Sequence, residues 1–216
     1  MRATGVSLDP AGDTALEIET PAGELSLVLK LGGLYNVYNA LAALAGGLAL
    51  GIDPAVVRDG VSAVAAAFGR QERFDVDGRR VQVFLGKNPA GLNQVLRTIA
   101  AVPGEKHLLF LLNDDVADGR DVSWIWDADF ELIAADAALT VVSGRRAEDM
   151  ALRLKYAGFP PGLPVVADVA GALSLALKST PDGDSLYVVP TYTAMLEVRE
   201  LLAGRAGASH YWEAKA

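Results

Sequence analysis

From residue 80 to residue 203, short apolar runs alternate with segments of helical periodicity. No other feature of the chain constrains its fold as tightly. Strands are read over residues 80–85, 107–112, 138–142, 164–167 and 185–189. Helices are read over residues 92–101, 147–157, 168–178 and 194–203. The run His-Leu-Leu-Phe-Leu-Leu at 107–112 is apolar on both faces, the pattern of a parallel strand covered by helices above and below. Repeated β-α units of this kind require an α/β fold, a three-layer, mainly parallel, Rossmann-like sheet with right-handed crossovers.

The first third of the chain reads differently. Residues 14–20 and 24–30 alternate apolar and polar around Pro21-Ala22-Gly23, a β-hairpin that needs something to pack on. A helix follows over residues 36–50, closed by Gly51. Its small face, Ala40, Ala42, Ala43, Ala45, Gly46 and Gly47, suits the close approach of another backbone or a flat ligand. Asp53 and Pro54 cap and start a further helix to about residue 67. Asn36 and Asn39 lie three apart on the first turn of the earlier helix, where two amides cap the helix or read the polar edge of a base. Helical periodicity stops at Phe68-Gly69-Arg70-Gln71-Glu72-Arg73. Two strands, 72–76 and 80–85, then meet at the hairpin signal Asp77-Gly78.

Composition excludes several classes. A net charge of −8 over 216 residues argues against nucleic acid as partner. The absence of cysteine removes disulfides, thiolate nucleophiles and Cys-ligated zinc. Two histidines, His107 and His210, do not make a His-rich metal site or a self-contained Ser-His-Asp triad. The longest apolar stretch, residues 40–52, is too short to span a bilayer, and no apolar leader segment is visible, so a cytoplasmic protein is expected.

Two loops are candidates for chemistry. Gly86-Lys87-Asn88-Pro89-Ala90-Gly91 joins a strand to a helix, so it offers either an anion site with a nearby lysine or a plain Pro-initiated helix start. It is not a P-loop, because GxxxxGK[ST] occurs nowhere in the chain. Residues 113–131, NDDVADGRDVSWIWDADFE, leave the carboxyl end of strand 107–112, the edge where open α/β sheets bind ligands. Six aspartates, one glutamate and two tryptophans share these nineteen residues. They form either an acidic turn before a short helix over residues 130–135, capped by Asp127 or Asp129, or a set of carboxylates held beside docked aromatics. Arg145 and Arg146, at the turn after strand 138–142, either hold an anion or pair with Glu148 and Asp149. The tail from Gly204 is loosely patterned and expected to be mobile.

Four strings carry a family likeness: LYNVYNALAA (34–43), FGRQE (68–72), KNPAGLNQVL (87–96) and DGRDVSWIWDADFE (118–131), supported by GRRAEDMALRLKYAG (144–158). Together they resemble the MurT family, the Mur-ligase-like subunits of lipid II isoglutaminyl synthase. The first two strings are also shared by Mur ligases and folylpolyglutamate synthetases. The resemblance implies that residues 1–69 are the tail of a central ATP-binding domain and that residues 70–216 are a Mur ligase C-terminal domain. Family members begin with a P-loop ATPase core and a four-Cys zinc ribbon. Neither is present in this chain, so the likeness implies a piece of a longer protein, inactive alone.

The implied reaction is ATP- and Mg-dependent amidation of the D-glutamate α-carboxylate of the peptidoglycan stem peptide on lipid II, through an acyl phosphate, at the inner face of the membrane. Ammonia would come from a GatD-type glutaminase in a heterodimer. In the family the ligase subunit supplies the acidic member of the glutaminase triad, which the match places at Asp121, with Asp127 as second choice and Asp118 as third. Asn36 and Asn39 resemble asparagines near the adenine. Arg70 resembles a linker arginine that moves toward the phosphates, and Lys87 with Asn88 would face the acyl-phosphate site. No metal ligands are assigned. Two other readings remain: a docking module for the glutaminase without ligase chemistry, and a folylpolyglutamate-synthetase-like ligase domain.

Overall fold

In the computed structural model, which describes residues 1–8, 12–64 and 70–207, the chain divides into two compact units. One comprises Met1–Ala66 with Ala101–Pro103; the other comprises Ala67–Ala100 and Gly104–Ala216.

The first unit holds a three-stranded antiparallel sheet in the order β1 (Arg2–Leu8), β2 (Thr14–Thr20), β3 (Gly23–Leu29). The expected hairpin is β2–β3, in register from Thr14 opposite Leu29 to Thr20 opposite Gly23. Strand β1 was not legible in the sequence. It is bulged between Ala3 and Gly5 and largely exposed, so its residues follow no clean alternation. Leu16, Ile18, Leu27 and Leu29 alternate onto one sheet face and pack against Val37, Ala40 and Leu44 of α1 (Leu34–Ala49). Each such burial contributes about 2 kcal/mol, which is what a lone hairpin lacks. A Cβ on Gly47 of α1 would stand 2.8 Å from both Val57 Cγ atoms of α2 (Pro54–Ser62), so Gly47 serves close helix packing, while Ala42, Ala43, Ala45 and Gly46 of the same helix are exposed. Helix α2 starts at the Asp53 cap but ends at Ser62, short of residue 67. Residues 65–67 of the expected helix lie outside the described residues.

The second unit is a five-stranded sheet in the order β4 (Arg70–Val76), β5 (Arg79–Phe84), β8 (Ser185–Pro190), β6 (Lys106–Leu111), β7 (Ala137–Ser143). Strand β4 is antiparallel to β5, and the other four strands are parallel. Helices α3 (Pro89–Ala100), α4 (Glu131–Ala134) and α5 (Ala147–Tyr156) cover one face. Helices α6 (Val169–Ser179) and α7 (Tyr192–Ala206) cover the other. Along β6, Leu108 and Phe110 point into the first layer while Leu109 and Leu111 point into the second. The whole strand is buried. Residues expected as a strand at 164–167 form an isolated bridge, Val142 to Val165, because Pro164 offers no N–H and only one ladder rung is made.

The antiparallel edge is fastened from the far layer. Arg199 of α7 grips Glu72 of β4 with Nε 3.0 Å from each carboxylate oxygen, and both side chains are largely buried. Between Arg70 and Glu72 the strand bulges, and Gln71 is buried with a left-handed φ of 62°. Removing one partner of such a pair strands the other charge in the core. Glu72→Gln should therefore cost about 3 kcal/mol of stability, read as a lower urea midpoint at unchanged slope.

Candidate functional site

Parallel pairing brings the carboxyl ends of β5, β8, β6 and β7 to one edge, and the loops leaving β6, β7 and β8 are laced together by Asn113. Its N–H donates to Thr191 Oγ1 (2.9 Å), its Nδ2 donates to Thr193 Oγ1 (2.9 Å), and its Oδ1 accepts from Arg145 N–H (2.9 Å). Gly144 passes beneath it at φ 95°. A Cβ there would lie 2.5 Å from Leu112 O and 2.8 Å from Asn113 Oδ1, so only glycine closes this corner.

Asp118, the third candidate, is buried, and it caps α7. Its Oδ1 accepts from Thr193 N–H (2.8 Å) and its Oδ2 from the Thr193 hydroxyl (2.6 Å). A carboxylate on the first turn complements the helix dipole, so its role here is structural.

Beyond Asp118 the chain forms a 3-10 helix, Ser123–Asp127, that was not foreseen. Asp121 starts it: Ser123 N–H donates to Asp121 Oδ1 (2.8 Å) while the carboxylate stays exposed. Hydrogen bonding from Ser123, through its hydroxyl and its backbone, holds the Asp121 carboxyl below the usual carboxylate range. Trp124 packs against the core, but Trp126 does not dock there; it is 49% exposed and meets Tyr156 of α5 in a tilted pair, ring centres 5.7 Å apart. Neither Asp127 nor Asp129 caps α4, which starts at Glu131 without a side-chain cap. Asp129 instead donates its N–H to Asn93 Oδ1 (2.7 Å), and its carboxylate pairs with Arg97.

What holds this loop is a residue that the candidate set omitted. Arg153 of α5 is buried, donating Nε to Ile125 O (3.1 Å) and one terminal nitrogen to Ala128 O (2.6 Å) and both oxygens of Glu131. Its guanidinium lies 5.7 Å from the Trp126 ring centre and 5.2 Å from that of Phe130. The signal was present: Met150, Arg153 and Leu154 share a helix face, and a cation on an apolar face implies a buried acceptor set.

Of the seven carboxylates in the loop, ion pairs take four: Asp114 with Arg146, Asp115 with Arg145, Asp129 with Arg97 and Glu131 with Arg153. Arg146 also binds Asp149 (2.7 Å), so both arginines of this turn serve local carboxylates rather than an anion. Asp118 is taken by Thr193. Asp121 and Asp127 remain, both exposed and free of ion pairs among the described residues. Asp121 also lines a concavity of about 250 Å³ with Arg120, Ser123, Trp126, Arg146 and Asp149.

The remaining candidates fall in two places. Lys87 is exposed on the loop after β5, at the same sheet edge, and the backbone of Arg70 pairs with Phe84 there. Asn88 Oδ1 accepts from Gly91 N–H (2.8 Å), so it caps α3, which begins at Pro89. In the first unit Asn39 Nδ2 donates to Asn36 Oδ1 (3.4 Å), and Asn36 Nδ2 donates to Gly32 O (2.8 Å). A larger concavity of about 660 Å³ lies at the other end of α1, among Ala45, Leu48, Ala49, Ile52 and Pro54. Its walls are mostly apolar, so it does not join the asparagine pair. Among the described residues no cluster of metal-ligating side chains occurs, and no helix is long and apolar enough to cross a membrane.

The family model described as MurT ligase C-terminal matches residues 85–195. The lipid II isoglutaminyl synthase (glutamine-hydrolyzing) subunit MurT of Streptococcus pneumoniae is 42% identical over 180 residues, covering 82% of this chain and 40% of that one. The subunit of the same name from Staphylococcus aureus is 36% identical over 175 residues, covering 81% and 39%. The chain thus spans about two fifths of the length of these curated relatives. Solved structures share the fold: MurF of Acinetobacter baumannii at TM-score 0.69 and 21% identity, covering 92% of this chain and 43% of that one. The Mycobacterium tuberculosis folylpolyglutamate synthase complexed with ADP and AMPPCP follows at 0.68 and 21%, covering 93% and 47%.

Two outcomes follow from this geometry. Arg153→Met leaves two buried carbonyls without their donor and should cost about 2–4 kcal/mol, with a shifted Trp126 emission in the fluorescence-monitored unfolding curve. Ser123→Ala should raise the Asp121 carboxyl toward the ordinary value of about 3.9, followed by carboxyl carbon NMR. The sign is that of a depressed carboxylate: the contribution of this contact is present above the unfolded-state value and is lost as pH falls through the folded one.

Proposed function

This chain belongs to the MurT ligase family, and from that membership we propose that it is the C-terminal portion of the ligase subunit of lipid II isoglutaminyl synthase. In this reading residues 1–69 are the tail of a central ATP-binding domain and residues 70–216 form the ligase domain. The protein acts with a GatD-type glutaminase at the inner face of the membrane. ATP with Mg would supply the phosphoryl group that activates the D-glutamate α-carboxylate of the lipid II stem peptide, and ammonia would displace phosphate to form the amide.

The residues of this chain have three parts in that scheme. Lys87, exposed at the sheet edge beside the Arg70 backbone, supplies positive charge for an acyl phosphate, a task of positioning and neutralisation rather than nucleophilic attack. Asn88 supports this loop by capping α3. Asn36 and Asn39, linked to each other, present amide edges suited to an adenine. Residues outside this chain must provide the phosphate-cradling loop, since GxxxxGK[ST] is absent from it.

Asp121 completes the glutaminase triad across the interface. One observation carries this part: Asp121 is exposed, fixed by Ser123, and held ionised at the rim of a concavity in the segment that the family model covers. An acid that orients a catalytic imidazole must be ionised and fixed, and the Ser123 hydrogen bond supports both for Asp121. Asp127 shares the exposure, and among the described residues no hydrogen bond to its side chain braces it. Asp121→Asn should reduce glutamine hydrolysis by the complex on the order of 10³- to 10⁴-fold, the scale of losing an imidazole-orienting carboxylate. The assay is ammonia release by the co-purified complex. Unaltered turnover would overturn the assignment.

A further inference from the structure

The segment carrying Asp121 is anchored on both sides. Downstream, Ser123 and the carbonyls gripped by Arg153 fix the 3-10 helix. Upstream, the anchor is Thr193, on the first turn of α7. Three residues of the loop after β6 converge on its hydroxyl: Asn113 Nδ2 at 2.9 Å, Asp118 Oδ2 at 2.6 Å and Asp115 Oδ2 at 3.3 Å. A hydroxyl has one proton to give and lone pairs with which to accept. The shorter contact takes the proton, so Thr193 donates to Asp118 and accepts from Asn113, while Asp115 pairs with Arg145. The Thr193 N–H reaches the other Asp118 oxygen at 2.8 Å, so one residue holds both ends of the carboxylate.

That carboxylate is buried and stands three residues before Asp121. Asp118 also closes a turn, donating its N–H to Asp115 O at 2.9 Å. Gly119 and Arg120, the residues between, are exposed, so Asp118 is the last buried point before Asp121. Thr193 in turn is not free to follow a moving loop. Six residues on, about 9 Å along the same helix, Arg199 grips Glu72, and both side chains are largely buried.

We infer that Thr193 is the positioning residue of the proposed triad acid: its hydroxyl fixes the Asp118 end of the loop, and so fixes where Asp121 meets the partner's imidazole. This rests on the trans-triad reading. Thr193 acts through Asp118 and touches no reacting atom. A displacement on the order of 1 Å in such a group costs on the order of 10²-fold in rate, so loss of the anchor is read in turnover rather than in affinity.

The test uses the complex of this chain with a GatD-type glutaminase, with ammonia release followed against glutamine concentration and affinity measured by calorimetric titration. Thr193→Val keeps the shape and removes the hydroxyl. It should lower kcat at least tenfold, with KM for glutamine within twofold and affinity for the glutaminase within threefold of wild type. Thr193→Ser restores the hydroxyl and should return kcat to within twofold. Thr193→Ala, which loses the same hydroxyl with less bulk, is the second variant if Thr193→Val does not fold, as checked by circular dichroism. Val76→Ala trims a buried side chain of the core layer that contains α7, far along the chain from this loop, and should leave kcat unchanged. Wild-type kcat in the hydroxyl-free variants would overturn the inference, as would a serine variant no better than valine, or an equal loss in Val76→Ala. Weakened binding or a raised KM at normal kcat would also overturn it, by placing Thr193 in docking or in glutamine binding. If Asp121→Asn abolishes hydrolysis while Thr193→Val does not, the triad assignment stands and the positioning role falls. Normal hydrolysis by Asp121→Asn overturns both.

Discussion

Strand β6 lies between β8 and β7 with no face in water, and most of the second unit follows from that burial. A strand paired in parallel on both sides must return through crossovers, and the crossovers place helices on both faces of the sheet. Leu108 and Phe110 then belong to one core layer, Leu109 and Leu111 to the other. Each fully buried side chain contributes about 1.5–3 kcal/mol, so the register of this strand is strongly fixed. With the register fixed, the loops leaving β5, β8, β6 and β7 have one place to go: the same edge of the sheet.

That edge concentrates polar backbone, and the structure satisfies it with a small number of side chains. Asn113 links the turns after β6, β7 and β8, and Gly144 lets the β7 turn pass under it. Asp118 finishes α7, and Arg153 takes the carbonyls that the 3-10 helix leaves over. A buried arginine is expensive to desolvate, and here carbonyls, a carboxylate and two aromatic faces offset that cost together. The result is a rigid loop in which five of seven carboxylates are used internally. The two left over, Asp121 and Asp127, are exposed in the segment that carries the exposed Trp126.

Helix α7 connects the two ends of this arrangement. Its first turn is capped from the acidic loop through Asp118 and Thr193, and its Arg199 holds Glu72 at the strand that follows residues 65–69. The buried left-handed Gln71 beside Glu72 sets how β4 begins. One helix therefore fixes both the loop carrying Asp121 and the strand carrying Arg70. That is a consequence of packing, whatever traffic passes between the two sites.

The sequence by itself determined the periodic part of this protein. Apolar runs long enough to bury both faces dictated the parallel sheet, Asp77-Gly78 dictated the edge hairpin, and Asp53 and Asp168 dictated helix starts. Each rests on chemistry within a few residues. It also marked residues 113–131 as unusual; the family resemblance singled out Asp121 and Asp127 there, and both are exposed in the structure. Tertiary structure alone decided the rest, because it depends on partners distant in the chain. Asp118 became a cap because Thr193 arrives from β8, 75 residues later. Arg145 and Arg146 became local ion pairs because β7 sits beside β6. Strand β1 formed because β2 offered an edge, not because its own residues alternate. Trp126 faces water because Arg153 and Tyr156 hold it there, and no local pattern of residues encodes which of two neighbouring tryptophans will be buried.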